Sequence, residues 1–134
     1  GVHNLVRFTR RLIERSGRDV GIDWHGHNDR GLALANTLAA RDAGVDRLHG
    51  CVLGIGERVG NAPLELLLLN LDEAGERPLQ RPEALSRLCR LTADEMRAPT
   101  GTLEPLLEEL AQMAAAEATR RAYAGGRDAA DPAQ

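Results

Sequence analysis

Two histidines separated by a single residue, His25 and His27 in Asp-Trp-His-Gly-His-Asn-Asp-Arg-Gly, are the side chains whose types and spacing most plainly offer chemistry. On a strand, residues two apart share a face, so the two imidazoles stand side by side as cis metal ligands must. Trp24 and Gly26 then take the opposite face. Asn28 and Asp29 follow at once, both helix-capping types. An amide and a carboxylate beside imidazole suit ions such as Mg²⁺ or Mn²⁺ as well as softer transition metals. A bare His-x-His is short, however, and reads equally well as two chance histidines near a loop.

A second constellation lies in Leu53-Gly-Ile-Gly-Glu-Arg-Val-Gly-Asn61. Gly54, Gly56 and Gly60 free the backbone to turn sharply and to approach a ligand closely. Asn61 precedes a Leu-dense segment, where its side chain has two uses: capping the helix or offering an amide oxygen to a metal. Glu57 and Arg58 are placed to form a local ion pair. Arg30, just after the histidines, suits a substrate carboxylate as well as it suits solvent.

These residues need elements to position them. Val2, Leu5, Val6, Thr9, Leu12 and Ile13 recur at helical spacing, with Gly17 as a stop. Residues 19–27 read as a strand, 31–43 as a helix with Leu34, Leu38 and alanines on one face and Gly44 as its stop. Residues 45–53 read as a second strand and 62–74 as a helix closed by Gly75. Helix, strand, helix, strand, helix is the order of a parallel α/β architecture, in which sites gather at the C-terminal strand ends. Two parallel strands do not cover both faces of a sheet, so further strands are expected from elsewhere. Beyond Glu76 the prolines at 78 and 82 bracket a linker. Residues 83–98 form an amphipathic helix through Leu85, Leu88, Thr92 and Met96, broken by Pro99 and Gly101. Thr102 is expected to cap another, with Leu103, Leu106, Leu107, Leu110 and Ala114 along one stripe. The division expected is thus 1–75 for the α/β part, 76–124 for a helical extension and 125–134 for a disordered tail.

The bulk properties exclude several classes. With 43% apolar and 28% charged residues and a formal net charge of −3 over 134 residues, nothing favours nucleic acid or anionic lipid as a partner. The longest pure apolar run, Leu66 to Leu69, is too short for a bilayer, and a secretory leader pattern is missing. Cys51 and Cys89 form no CxxC pair and read as small buried residues in a reducing, cytoplasmic setting. His3 reads as surface and His49 as a structural histidine. The chain has no initiator Met and opens inside a helical pattern, so it reads as a piece of a longer protein.

Taken together, HGHNDRGLALANTLAARDAGVDRLHGCVLGIGERVGN resembles the 2-isopropylmalate synthase and homocitrate synthase family, part of a wider group that includes hydroxymethylglutaryl-CoA lyase. The match spans about residues 20 to 70. The resemblance implies an α/β fold that is the C-terminal part of a (β/α)8 TIM barrel, its last two strands and their helices, followed by the helical extension. It implies that His25 and His27 bind a divalent cation (Mg²⁺, Mn²⁺ or Zn²⁺) with Asn61 in or beside the coordination sphere. Gly54, Gly56 and Arg30 would contact the ligand. It further implies acetyl-CoA and a 2-oxo acid as substrates, joined in a metal-assisted Claisen-type condensation that CoA hydrolysis drives forward, in a homodimeric enzyme. The acidic ligand and the catalytic arginine of that family stand on the first barrel strand, and no match for them occurs here. A barrel needs about 250 residues, so the chain on its own is expected to be inactive. His49 stands where many synthases carry an acid, and a regulatory domain is not apparent. Two other readings stay open: a hydroxyacyl-CoA lyase of the same group, against which the compact GIGERVGN loop speaks, and a non-catalytic barrel module.

Overall fold

The structure is a computed structural model that describes residues 1–96, 108–113, 115–116 and 119–120. The described residues fall into two compact units, the first Gly1–Pro78 and the second beginning at Leu79.

In the first unit, α1 (Val2–Ser16) ends at Gly17, whose φ of 66° lets its N–H reach back to the Glu14 carbonyl. Strand β1 (Asp23–Trp24), helix α2 (Ala33–Asp42) and strand β2 (Arg47–Leu48) then make one βαβ unit, the strands pairing parallel with Asp23 opposite Arg47 and Trp24 opposite Leu48. A short 3₁₀ turn (Val52–Gly54) and α3 (Leu64–Glu73) complete it.

Both strands are shorter than the sequence pattern predicts, two residues each instead of nine. The reason is pairing. Each strand has one neighbour, and the extended backbone beyond Trp24 and Leu48 pairs with the chain returning at residues 61–63 instead, through bridges His27–Asn61 and Cys51–Pro63. Leu53, expected in the second strand, turns left-handed at φ 57°.

The helices pack on different residues from those expected. On α2 the fully buried side chains are Ala33, Thr37 and Ala40, while Leu34 and Leu38 are half-buried. Small residues allow α1 and β2 to come close, and the Thr37 hydroxyl is satisfied by the Ala33 carbonyl at 2.8 Å. On α1 only Val6 is buried; Leu5, Phe8 and Leu12 are exposed. Helix α3 buries Leu67 and Leu69, each contributing roughly 1.5–3 kcal/mol of transfer free energy.

One carboxylate ties three of these elements. Asp46, just before β2, accepts the Ile22 N–H at 2.6 Å and the Arg10 guanidinium of α1 at 3.0 Å, and Arg10 also reaches the Gly44 carbonyl at 2.6 Å. These two donors hold the Asp46 carboxyl below the usual aspartate range, the backbone N–H being the larger cause.

The second unit contains α4 (Pro82–Met96), whose buried side chains are Pro82, Leu85, Cys89 and Ala93. The buried stripe therefore runs through Cys89 and Ala93, and Leu88 and Met96, expected inside, are exposed. Residues 108–113 are helical with Leu110 fully buried. The expectations for Pro99, Gly101, Thr102, Leu103, Leu106, Leu107, Ala114 and the 125–134 tail lie outside the described residues. No helix among the described residues is long and apolar enough to cross a membrane.

Because the Asp46 carboxyl is acidified in the folded state, its contribution is present above the unfolded aspartate value and fades as pH falls through the folded one. Asp46→Ala should lower the melting temperature at neutral pH, and the gap to wild type should narrow below about pH 4. Thermal unfolding from pH 7 to pH 2.5 checks this; a gap independent of pH would show the tie not to be ionic.

Candidate metal centre

The chain leaves β1 extended, and the His25 and His27 rings lie 5.0 Å apart at 87°, edge to face. The shared side expected from their spacing is therefore present, although both lie beyond the paired strand. His25 is exposed and His27 half-buried. His49, at the end of β2, brings a third ring to within 5.7 Å of His25, and its Nε2 stands 3.5 Å from Asp23 Oδ2. Strand register explains that neighbour: the His49 N–H donates to the Trp24 carbonyl, one residue before His25.

The glycine-rich loop carries Asn61 to the same place. His27 and Asn61 form an antiparallel bridge, and the Asn28 N–H donates to the Gly60 carbonyl at 2.8 Å. Asn61 is only 8% exposed. Its Nδ2 donates to the Ile55 carbonyl at 3.1 Å and to Cys51 Sγ at 3.2 Å. A carbonyl accepts and never donates, so this pair of contacts fixes which way the amide points. Asn61 Oδ1 is then left buried without a hydrogen-bond partner, and so is His27 Nδ1. An unpaired buried polar atom costs about 1–3 kcal/mol, and an amide oxygen or an unprotonated imidazole nitrogen left open in this way has a lone pair to offer a cation.

The two uses open for Asn61 are thereby separated. Helix α3 starts at Leu64 with Pro63 before it and no side-chain cap, so Asn61 caps nothing. Asn28 does assist the α2 start, its Oδ1 accepting the Ala33 N–H at 3.1 Å. Gly56 makes room for Asn61: a Cβ there would overlap the Asn61 amide nitrogen. Gly60, at φ 90°, has no space for one either, because it would meet the Gly54 carbonyl oxygen. Gly54 and Gly56 thus border Asn61 itself, and Arg30 stays exposed on the turn before α2.

The loop is held from outside. Arg58 does not pair with Glu57 as expected; it makes a bidentate pair with Asp29, at 2.7 and 2.8 Å. Geometry decides this, since the left-handed backbone of Arg58 (φ 58°) accompanies a side chain turned to the histidine loop. The guanidinium keeps the Asp29 carboxyl below its ordinary value. Glu65, in the first turn of α3, is 2% exposed and accepts the Leu53 N–H at 2.9 Å. Burial pushes its carboxyl above the usual range, against the pull of backbone N–H groups. Sequence reading missed Glu65. The available signal was an acid inside an otherwise apolar Leu-Glu-Leu-Leu-Leu-Leu run. Cys51, expected as a plain buried residue, is half-buried and serves as an acceptor for Asn61, while Cys89 is fully buried.

His25, His27 and Asn61 supply nitrogen and oxygen donors of the kind that Mg²⁺, Mn²⁺ and Zn²⁺ accept, and the two orphaned acceptors fit such an ion. Among the described residues no group of three or more His, Cys, Asp and Glu side chains is arranged to hold a metal. What is present is two imidazoles and one amide, a donor set that lacks a carboxylate.

Residues 2–94 match the HMGL-like family. Among similar proteins, a 4-hydroxy-2-oxovalerate aldolase of Thermomicrobium roseum is 48% identical over 75 residues, 56% of this chain and 20% of that protein. A 2-isopropylmalate synthase of Pyrococcus abyssi is 49% identical over 70 residues, 52% of this chain and 14% of that protein. An oxaloacetate decarboxylase of Mycobacterium tuberculosis is 44% identical over 73 residues, 53% of this chain and 22% of that protein. The chain thus spans about a fifth or less of the length of most relatives it matches.

Gly56→Ala should displace the Asn61 amide while leaving the helices in place. Mn²⁺ affinity by calorimetry should fall on the order of tenfold or more, with unchanged far-ultraviolet circular dichroism. Unaltered affinity would show that the amide is not part of the site.

Proposed function

The chain belongs to the HMGL-like family, and on that premise we propose that its complete protein condenses acetyl-CoA with a 2-oxo acid, in the manner of a 2-isopropylmalate synthase. In this reading the parallel β1–α2–β2 unit and α3 form the closing part of a (β/α)8 barrel, and His25, His27 and Asn61 are its metal ligands. One observation supports it above the others: the unpartnered Asn61 Oδ1 and His27 Nδ1 belong to two residues joined by a single backbone bridge.

A divalent cation bound there would supply Lewis acidity toward the carbonyl oxygen of a 2-oxo acid. The chain's own residues have simpler tasks. His25 and His27 hold imidazole nitrogens on one side of the extended segment. Asn61 keeps its carbonyl oxygen free because its amide nitrogen is committed to Ile55 and Cys51. Gly56 and Gly60 let the loop close against Asn61 and exclude side chains from that corner.

A second reading has support of its own. The aldolase and decarboxylase relatives are about as similar as the synthase, and 4-hydroxy-2-oxovalerate and oxaloacetate are themselves 2-oxo acids. The same half-site serves a lyase that breaks a carbon–carbon bond near that carbonyl. The short Gly54–Gly60 turn, without a Cys-containing insertion, favours the synthase over a hydroxyacyl-CoA lyase.

The protein expressed from its complete gene should release CoA from acetyl-CoA in the presence of a 2-oxo acid and Mn²⁺ or Mg²⁺. Release should fall by at least about a hundredfold in His25→Ala/His27→Ala. Cleavage of 4-hydroxy-2-oxovalerate or oxaloacetate without any CoA release would move the assignment to the lyase reading.

A further inference from the structure

Leu53 and Arg58 are, among the described residues, the two non-glycine positions with left-handed backbone, at φ 57° and 58°. Both lie in the loop that delivers Asn61. L-residues with a side chain adopt this conformation at an energetic cost, so something must hold each one there. Each is engaged by a carboxylate from outside the loop: Glu65 of α3 accepts the Leu53 N–H, and Asp29 accepts the Arg58 guanidinium with both oxygens.

The two acids stand at opposite ends of the loop. Glu65 is four residues past Asn61 and almost wholly buried on α3, whose other buried side chains are Leu67 and Leu69. A lone carboxylate is a costly occupant of such a position, and the packing there asks for an apolar side chain. Asp29 is two residues past His27, so its pair with Arg58 adds to the Asn28–Gly60 hydrogen bond that joins the histidine loop to the glycine loop. Between the ties, the Asn61 N–H donates to the Gly54 carbonyl at 2.8 Å, which closes the loop on itself.

We propose that Glu65 and Asp29 are positioning residues that hold loop 53–61 in its two left-handed turns, and thereby keep the Asn61 carbonyl oxygen beside His27. The consequence for metal binding rests on the reading of His25, His27 and Asn61 given above; the mechanical claim about the loop does not. Glycine carries no penalty for left-handed backbone. The tie to Leu53 is therefore dispensable once that residue is glycine, and likewise the tie to Arg58.

The test uses the complete protein, with hydrogen exchange at the Asn28 and Asn61 amides and Mn²⁺ titration as separate readouts. Glu65→Ala and Asp29→Ala should each speed exchange at both amides about tenfold and weaken Mn²⁺ binding by a similar factor. Adding Leu53→Gly to the first variant, and Arg58→Gly to the second, should recover at least half of each loss on a logarithmic scale. Unchanged exchange in the single variants overturns the proposal. So does a loss that the glycine partner leaves unrecovered, because an ordinary packing role would behave that way. If Glu65→Ala does not fold, the exposed Asp29 and Arg58 pair decides alone. If the wild type binds no Mn²⁺, the metal reading falls, and the exchange data still support or overturn the positioning role.

Discussion

Residues 60–64 lie between two other stretches of backbone, and the arrangement of the site depends on that threading. On one side the Gly60 carbonyl accepts the Asn28 N–H; on the other, the Ala62 carbonyl accepts the Cys51 N–H and the Cys51 carbonyl accepts the Leu64 N–H. Backbone groups buried this way have to be paired, and these pairs leave the intervening chain little freedom. Asn61 sits in the middle, so its position relative to His27 is set by main-chain hydrogen bonds and not by its own side chain. Gly60 is what allows the approach, since a Cβ at that position would collide with the Gly54 carbonyl.

Around this threaded segment the fold distributes its polar groups unevenly. Asp46 gathers Arg10, Ile22 and, through Arg10, Gly44, and so secures α1 to the sheet. Glu65 and Asp29 secure the loop nearer to them. What remains unsatisfied is concentrated: the three buried side-chain atoms without a partner among the described residues are His27 Nδ1, Asn61 Oδ1 and the neighbouring Trp24 Nε1.

The helices and their ends were legible from local chemistry. Gly17, Gly44 and Gly75 all adopt the left-handed conformation that their placement after apolar periods suggests. Side-chain direction was less legible. Helix α2 packs through Ala33, Thr37 and Ala40 rather than its leucines, because close approach to α1 and β2 favours small residues over hydrophobic ones. In α4 the buried line runs through Cys89 and Ala93, leaving Leu88 and Met96 outside. Strand length was overestimated because hydrophobic pattern reports what an extended segment can do, whereas pairing depends on which backbone arrives beside it.

Spacing alone brought His25 and His27 to one side, because the period of extended backbone is a local property. Motif composition marked the loop and Asn61, and the likeness of that motif to a known family named the chemistry. Three things were decided only by tertiary structure. The Asn61 amide is oriented by Ile55 and Cys51, Arg58 is paired with Asp29 twenty-nine residues away, and the Leu53 turn is held by a buried Glu65. The Asp29 pair joins segments distant in sequence, and even the six to twelve residues that separate the other partners exceed what a local period or propensity encodes.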